Sequence, residues 1–383
     1  MAYYTRRLDL RSDPAHTFFL WGPRQSGKST LIAEQFPDAP RIDLLRPDVY
    51  RRYLQTPELL IEEQKLGNHR FVVVDEIQRV PELLDAVHWL IENRGVAFAL
   101  CGSSARKVRR GHANLLGGRG IRHELHGLSA IEIGDGVDIV RMLNHGYLPT
   151  IYDADDPRPL LDAYVSQYLQ EEVAAEGLSR RLPAYADFLG VAALSDGSPV
   201  SYTSIARETG VASQTVRSYF GILEDTLLGR FVPAYRRRPK RRTIAAPKFY
   251  FADVGIVNFL ARRGSIEPGS ELFGYAFENW VFHELCCFNA YEHRYADIAY
   301  WRLSSGIEVD FIVNHIDCAI EAKATRRVRP DHLKGLRELS VDHPEAKNRI
   351  IVSLDTHDRK TNDGIEILHY KTFLNRLWSG SLF

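Results

Sequence analysis

The sequence predicts an α/β protein in three parts: a parallel sheet with crossover helices, a mainly helical middle, and a second α/β domain. Three observations predict it. Over the first 130 residues or so, short apolar runs alternate with amphipathic stretches; from about 133 to 243 the apolar spacing is helical; after Pro247 short strand-like runs return. The first runs are Phe18 to Trp21, Arg41 to Leu45, Phe71 to Val74, Val96 to Cys101 and Ile121 to Leu125. Each is too short for a buried helix, and their alternation with amphipathic stretches is the signature of a parallel sheet with crossover helices. The middle shows Gly and Pro punctuation and no alternation until Phe231 to Tyr235. The last part opens with a strand at Lys248 to Phe251 and continues through a helix-like Leu272 to Asn289. Further strands follow around 307–313, 318–323 and 349–354. The expected divisions are 1–132, 133–178, 179–243 and 244–383.

Bulk properties set the bounds. With 383 residues, 45% of them hydrophobic, the chain can fill two or three ordinary cores. Lys+Arg and Asp+Glu each total 49, so contact with a polyanion has to come from local patches. No apolar window reaches the length of about 18 residues that a membrane span needs. The opening MAYYTRRLDL places charges before any hydrophobic stretch, so no membrane contact and a cytoplasmic location are expected. Cys101, Cys286, Cys287 and Cys318 sit among apolar neighbours without CxxC spacing, as packed, reduced thiols would.

The densest chemical signal follows the first strand. Gly22, Pro23, Arg24, Gln25, Ser26, Gly27, Lys28, Ser29 and Thr30 spell GxxxxGKS between a strand and an apolar-periodic helix start. Glycines let backbone N–H groups curl around phosphate oxygens, and the helix N-terminus adds its positive dipole end. Lys28 then reaches the β and γ phosphates of ATP, and Ser29 coordinates Mg²⁺. The run Phe71 to Val74 ends in Asp75 and Glu76, where Asp75 would hold the same Mg²⁺ and Glu76 would orient or deprotonate the attacking water. A strand ending in solvated acids is the plain alternative, and the upstream loop decides against it. Val96 to Cys101 runs into Gly102, Ser103 and Ser104, whose hydroxyls reach the sheet edge where such ligands bind and could sense the γ phosphate. Arg119 is a candidate for charge on the transferring phosphoryl group, within the chain or across a contact between copies of a homo-oligomer, with a solvated loop arginine as the alternative.

The strings GPRQSGKST, VVVDEIQ, CGSSAR and the GGRG-to-HGLS stretch resemble the AAA-type ATPases of prokaryotes that carry a C-terminal domain of unknown function. The runs PKFYFADVG and GYAFEN are similar to that family's C-terminal landmarks, so the resemblance covers most of the chain. It implies ATP binding, an AAA-like core and an ATP hydrolase, and it leaves the biological target open.

In the middle, Thr203 to Val211 and Ser213 to Leu223 have the form helix, Gly-containing turn, helix. Thr203 and Ser213 are placed to cap the two helices, and Ile205, Ala206, Val211, Val216, Tyr219 and Leu223 to form the core. Gln214, Thr215, Arg217 and Ser218 would face outward, toward a DNA groove or a protein partner of a winged helix. Downstream, Arg236, Arg237, Arg238, Lys240, Arg241 and Arg242 concentrate positive charge in seven residues, which suits phosphate contact or open solvent.

Near the C-terminus, 307–313 and 318–323 alternate like strands about a turn-like Asn314 to Asp317 and most simply form a hairpin. If residues 313 and 318 pair, Asp310 and Glu321 stand side by side about 5 Å apart, with Lys323 on the same face. Opposed carboxylates repel, so a cation between them is expected, and Mg²⁺ suits such a site. With Glu278 on the preceding helix, Asp310, Glu321 and Lys323 resemble the active site of the restriction-endonuclease-like PD-(D/E)xK fold, although Val309 replaces the proline that often precedes the aspartate. The resemblance implies that Asp310 and Glu321 bind metal, that Lys323 activates water or steadies the transition state, and that Glu278 assists. An inherited fold with idle chemistry, in a regulatory or scaffolding ATPase, is the alternative.

Overall fold

The computed structural model describes residues 3–11, 16–67, 69–103, 115–175, 182–236, 241 and 243–383. Strands β1 (Thr17–Trp21), β2 (Arg41–Asp43), β3 (Phe71–Asp75), β4 (Ala97–Gly102) and β5 (Gly120–Glu124) form one parallel sheet in the order β2-β3-β4-β1-β5. Helices α1 (Lys28–Gln35), α2 (Pro47–Gln55), α3 (Leu59–Gly67) and α4 (Leu83–Arg94) connect it. Alternate residues serve two different cores. Phe18, Leu20, Val73, Ala99 and Cys101 pack into one, while Phe19, Trp21, Val72, Val74, Phe98 and Leu100 pack into the other. Burial on both faces is why these strands read as continuous apolar runs, each large side chain contributing roughly 1.5–3 kcal/mol. The second strand stops at Asp43 rather than Leu45, because the Asp43 carboxylate accepts the Leu45 N–H at 2.9 Å and turns the chain before Pro47 opens α2.

The middle holds α5 (Ile139–His145), α6 (Arg158–Ala175), α7 (Leu182–Leu194), α8 (Tyr202–Thr209) and α9 (Ser213–Asp225). Ile205, Val216, Tyr219 and Leu223 are buried, and Ala206 and Val211 are half-buried. Gly210 ends α8 with φ 67°, a left-handed turn that glycine adopts freely. The caps differ from expectation. Ser201, not Thr203, caps α8 by accepting the Ser204 N–H, and Ser213 is already the first helical residue of α9, after an uncapped Ala212. The strand expected over 231–235 is divided by Pro233. Its first part lies in β6 (Gly229–Val232), which pairs antiparallel with β7 (Lys248–Phe251) across residues 243 and 244. Tyr235 instead donates its N–H to the Tyr300 carbonyl at 2.7 Å, outside that pair.

The last part contains α10 (Val254–Leu260), α11 (Glu271–Tyr291), β8 (Ile298–Arg302), β9 (Glu308–Val313), β10 (Cys318–Lys323), α12 (Lys334–Asp342), β11 (Asn348–Ser353), β12 (Arg359–Lys360), β13 (Glu366–His369) and α13 (Tyr370–Trp378). Its sheet runs β12-β13-β11-β10-β9-β8, antiparallel in the β8-β9-β10 meander and parallel from β10 through β11 to β13. The hairpin starts in the expected register, Val313 opposite Cys318, but the ladder ends at Phe311 opposite Ile320, one residue short of the expected pairing of Asp310 with Glu321. Phe311, Ile320 and Val352 share a core with Phe277, Trp280 and Val281 of α11, while Val309, Ile312 and Ile351 face Leu336 and Leu339 of α12. All four cysteines are buried and unpaired with one another. Among the described residues no helix is long and apolar enough to cross a membrane.

Helix α11 is buried over most of its length, and its polar residues meet other segments. Glu284 accepts the Ala130 N–H at 2.6 Å and the Trp378 indole N–H at 3.2 Å, and burial raises its carboxyl to about 8. An unfolded glutamate titrates near 4.3, so between about pH 4.5 and 8 the folded chain holds a proton that the unfolded chain has lost. Stability therefore falls as pH rises through that window. Denaturant midpoints measured from pH 5 to 8 should show this decline, and Glu284→Gln should flatten it by on the order of 1–3 kcal/mol. An equal slope in the variant would assign the pH dependence to other groups.

Candidate functional site

The loop from Gly22 to Gly27 joins β1 to α1 at the carboxyl edge of the first sheet. A Cβ on Gly22 would stand 2.3 Å from the Leu125 carbonyl oxygen, so only glycine lets the loop pass this close to the chain after β5. Gly27 has φ 94° and precedes α1 without a side-chain cap, which leaves the first-turn N–H groups free for an anion. Lys28 is buried and donates to the Gly22 and Pro23 carbonyls, each at 2.9 Å. Burial lowers its pKa, opposed by Glu76 and Asp75. The Ser29 hydroxyl donates to Asp75 at 2.8 Å, bringing the two expected magnesium ligands together. The other Asp75 carboxylate oxygen is buried without a partner. An orphaned anionic oxygen beside a hydroxyl suits a hard cation, so Ser29 and Asp75 fit the Mg²⁺ that accompanies a nucleotide.

Glu76 follows in a left-handed conformation, φ 60°. Its carboxyl is raised above the usual range, first by burial and then by Asp75, with Lys28 opposing. The Gln78 amide donates to Glu76 and to the Ser103 hydroxyl, the latter at 3.0 Å. Gly102 makes room for it, since a Cβ there would lie 2.4 Å from the Gln78 side-chain oxygen. Gln78 and Arg41, which pairs with Asp75, are residues that sequence reasoning missed. Gln78 sits inside VVVDEIQ yet has no spacing of its own to mark it.

The remaining loop residues take different places. Arg24 is half-buried and acts electrostatically on Lys28 and Glu76; Gln25, Ser29 and Thr30 are exposed; Ser26 is buried. The Ser26 carbonyl accepts from Arg6 at 2.5 Å, and the same guanidinium reaches Glu132 at 2.9 Å, the His126 carbonyl at 2.8 Å and the Tyr291 hydroxyl at 3.1 Å. Nothing in MAYYTRRLDL announced that role for Arg6. Arg119 immediately precedes β5, pairs with Glu92 and stands beside the Thr17 end of β1. That is the sheet edge opposite the loop, so the fold does not bring Arg119 to the nucleotide of its own chain. Ser104 lies outside the described residues.

A second cluster gathers at the hairpin. Asp310 on β9, Glu321 and Lys323 on β10, and Glu278 on α11 converge as expected. Asp310 accepts the Ala322 N–H at 2.8 Å, and Glu321 pairs with Lys323 at 2.5 Å. Burial first, then Glu278 and Glu321, raise Asp310 well above the usual carboxylate range; burial likewise raises Glu321. Lys248 of β7 was not foreseen here. Its ammonium lies 2.9 Å from Glu278 and 3.9 Å from both Glu308 and Asp310. Tyr250 donates to Glu278 at 2.5 Å, and Arg302 pairs with Glu308 at 2.8 Å. Burial opposes the charges of Lys248 and Lys323, but the carboxylates more than offset it and both pKa values are raised. Among the described residues no group of three or more His, Cys, Asp or Glu side chains is arranged to hold a metal ion. The residues as placed do not fit Mg²⁺ at this cluster.

On α9, Gln214, Arg217 and Ser218 are exposed and Thr215 is half-buried, with the Arg217 guanidinium 4.7 Å from the Tyr202 ring centre. Arg236 is exposed and donates to the Ala245 carbonyl. Arg241, expected to face either phosphate or open solvent, binds Glu338 at 2.7 Å and Asp342 at 2.8 Å, a structural tie to α12. Arg237, Arg238, Lys240 and Arg242 lie outside the described residues.

The chain has no match among curated proteins. Among solved structures it is similar to a Walker-type ATPase of Pyrococcus abyssi, at 14% identity and TM-score 0.41, over 65% of this chain and 91% of that one. It is also similar to a signal transduction ATPase with numerous domains (STAND) carrying a tetratricopeptide repeat sensor, from Pyrococcus horikoshii. That likeness has 12% identity and TM-score 0.22, over 74% of this chain and 46% of that one, so this chain spans under half of that protein's length. Residues 137–267 and 273–373 each match a domain of unknown function, DUF8612 and DUF4143. Residues 15–134, which carry Lys28, Ser29, Asp75, Glu76 and Ser103, match the family model of the AAA domain.

Proposed function

We propose that this chain is an ATPase. The observation that carries the reading is the contact of Ser29 with Asp75 at 2.8 Å, directly beside a buried Lys28 and a half-buried Glu76. On nucleotide binding, Lys28 exchanges two carbonyl acceptors for phosphate oxygens, and the amides from Gly22 to Thr30 close around them. Ser29 and Asp75 would hold Mg²⁺, which when bound neutralises charge on the phosphate oxygens. Glu76, held by Gln78, orients the attacking water and takes its proton. Gln78 and Ser103 keep that carboxylate in register with the end of β4. Arg119 faces away from its own site and pairs with Glu92, so any part it takes in hydrolysis is at the site of a neighbouring copy. The test is direct: calorimetry with Mg·ATP, followed by phosphate release. Absence of heat on mixing would end the proposal.

For the rest of the chain we infer nucleic-acid binding without hydrolysis, with α8, α9 and the β6-β7 pair acting as a winged helix. Its support is the exposed Gln214, Arg217 and Ser218 face of α9 followed by the basic run. Cleavage with Mg²⁺ at Asp310 and Glu321 is the competing reading, and it is disfavoured by the lysine among the acids. Arg217→Ala should weaken DNA binding in a salt titration and lower the slope of log affinity against log salt by about one. An unchanged slope would return α9 to a packing role.

A further inference from the structure

The carboxylate cluster at the hairpin carries its own positive charge. Glu278, Glu308, Asp310 and Glu321 are met by Lys248, Lys323 and Arg302, so three cations already offset four acids. One oxygen of each carboxylate is engaged at close range. Glu278 accepts from Tyr250 and Lys248, Glu308 from Arg302, Asp310 from the Ala322 N–H, and Glu321 from Lys323. One Glu321 oxygen is left buried without a partner. A divalent ion needs several oxygens at about 2.0–2.6 Å, and it could not reach Glu278 and Asp310 together without meeting the ammonium between them.

Lys248 is also held in place by its backbone. It pairs with Val232 of β6 on one side and bridges to Pro199 on the other, while its side chain is 1% exposed beneath the Tyr300 and Tyr250 rings. A lysine so enclosed does not swing out to solvent as a surface lysine does. We propose that Lys248, held by Glu278 and close to Asp310, and Lys323, held by Glu321, are the resident cations of this cluster, so that the C-terminal domain of the native chain takes up no divalent ion. The hairpin acids then serve to clamp β7 to α11 and β9, and the domain contributes a binding surface rather than metal-assisted hydrolysis.

Manganese reports the outcome. The nucleotide-free full chain, carrying Asp75→Asn to silence the P-loop metal ligands, is titrated with MnCl₂ and free Mn²⁺ is read by electron paramagnetic resonance. The chain with Lys248 intact should bind no Mn²⁺ below about 1 mM, the weak limit of protein cation sites. Lys248→Met in the same background should gain one site, roughly tenfold tighter or more, because one positive charge has left a group of carboxylates. Adding Asp310→Asn should remove it. Uptake by the Lys248 chain that Asp310→Asn abolishes would overturn the proposal. So would a Lys248→Met chain with native near-ultraviolet circular dichroism and no gain, or DNA cleavage by the native chain that Asp310→Ala stops. Should Lys248→Met fail to fold, the titration of the Lys248 chain decides alone. Because the P-loop ligands are silenced, failure here leaves the ATPase reading untouched, and failure of ATP turnover leaves this one.

Discussion

Lys28→Ala is expected to abolish measurable Mg·ATP binding while leaving the apo fold intact. The lysine is buried with two carbonyl acceptors and, among the described residues, no carboxylate within ion-pair reach, so in the nucleotide-free chain its charge is a cost, visible as a lowered pKa. A triphosphate converts that cost into attraction. Losing such a charged partner to buried anionic oxygens costs about 3–5 kcal/mol, two to four orders of magnitude in Kd. The thermal midpoint of the apo variant should match or exceed that of the native chain, since alanine removes the buried charge. Calorimetry on both proteins separates the two effects. Unchanged affinity would remove Lys28 from the phosphate site.

Glu76→Gln should do the opposite: retain binding and stop turnover. Glutamine keeps the shape of Glu76 and relieves its repulsion from Asp75, so affinity for Mg·ATP should hold or rise. It cannot take a proton from water. General-base catalysis contributes about 10²–10⁴ in rate, and single-turnover phosphate release should fall by that much. The elevated carboxyl of Glu76 sharpens the test, because its burial moves the base toward the working pH and the native rate should decline as pH falls through its pKa. The Glu76→Gln protein should lack that limb. Normal phosphate release from the variant would contradict the assignment.

What was legible in the sequence follows from how local each determinant is. A strand buried on both faces must be a short apolar run, so β1, β3 and β4 stood out, and the P-loop could be read because one loop supplies almost every group it needs. The hairpin register was legible because the tight turn from Asn314 to Asp317 permits few pairings, and with it the convergence of Asp310, Glu321 and Lys323. Helix caps were not, since Ser201 and Thr203 are both capping residue types and only the backbone angle decides between them. Arg6 and Lys248 could not be read at all. Each reaches its cluster from a remote part of the chain, Arg6 to residues 126 and 291, Lys248 to 278 and 310, and no periodicity records such a meeting.

Arg6 grips the Ser26 carbonyl on one side and Tyr291 on the other, and Tyr291 closes the helix whose Glu278 touches the lysine of the hairpin cluster. Between those two side chains α11 spans roughly 20 Å. One rigid rod thus has the phosphate loop tethered at its far tip and the acids at its near shoulder. The smallest stretch that can keep its nucleotide loop fully braced is therefore longer than residues 15–134, and a fragment trimmed to those limits would lose both the guanidinium and the phenol that steady the loop from outside.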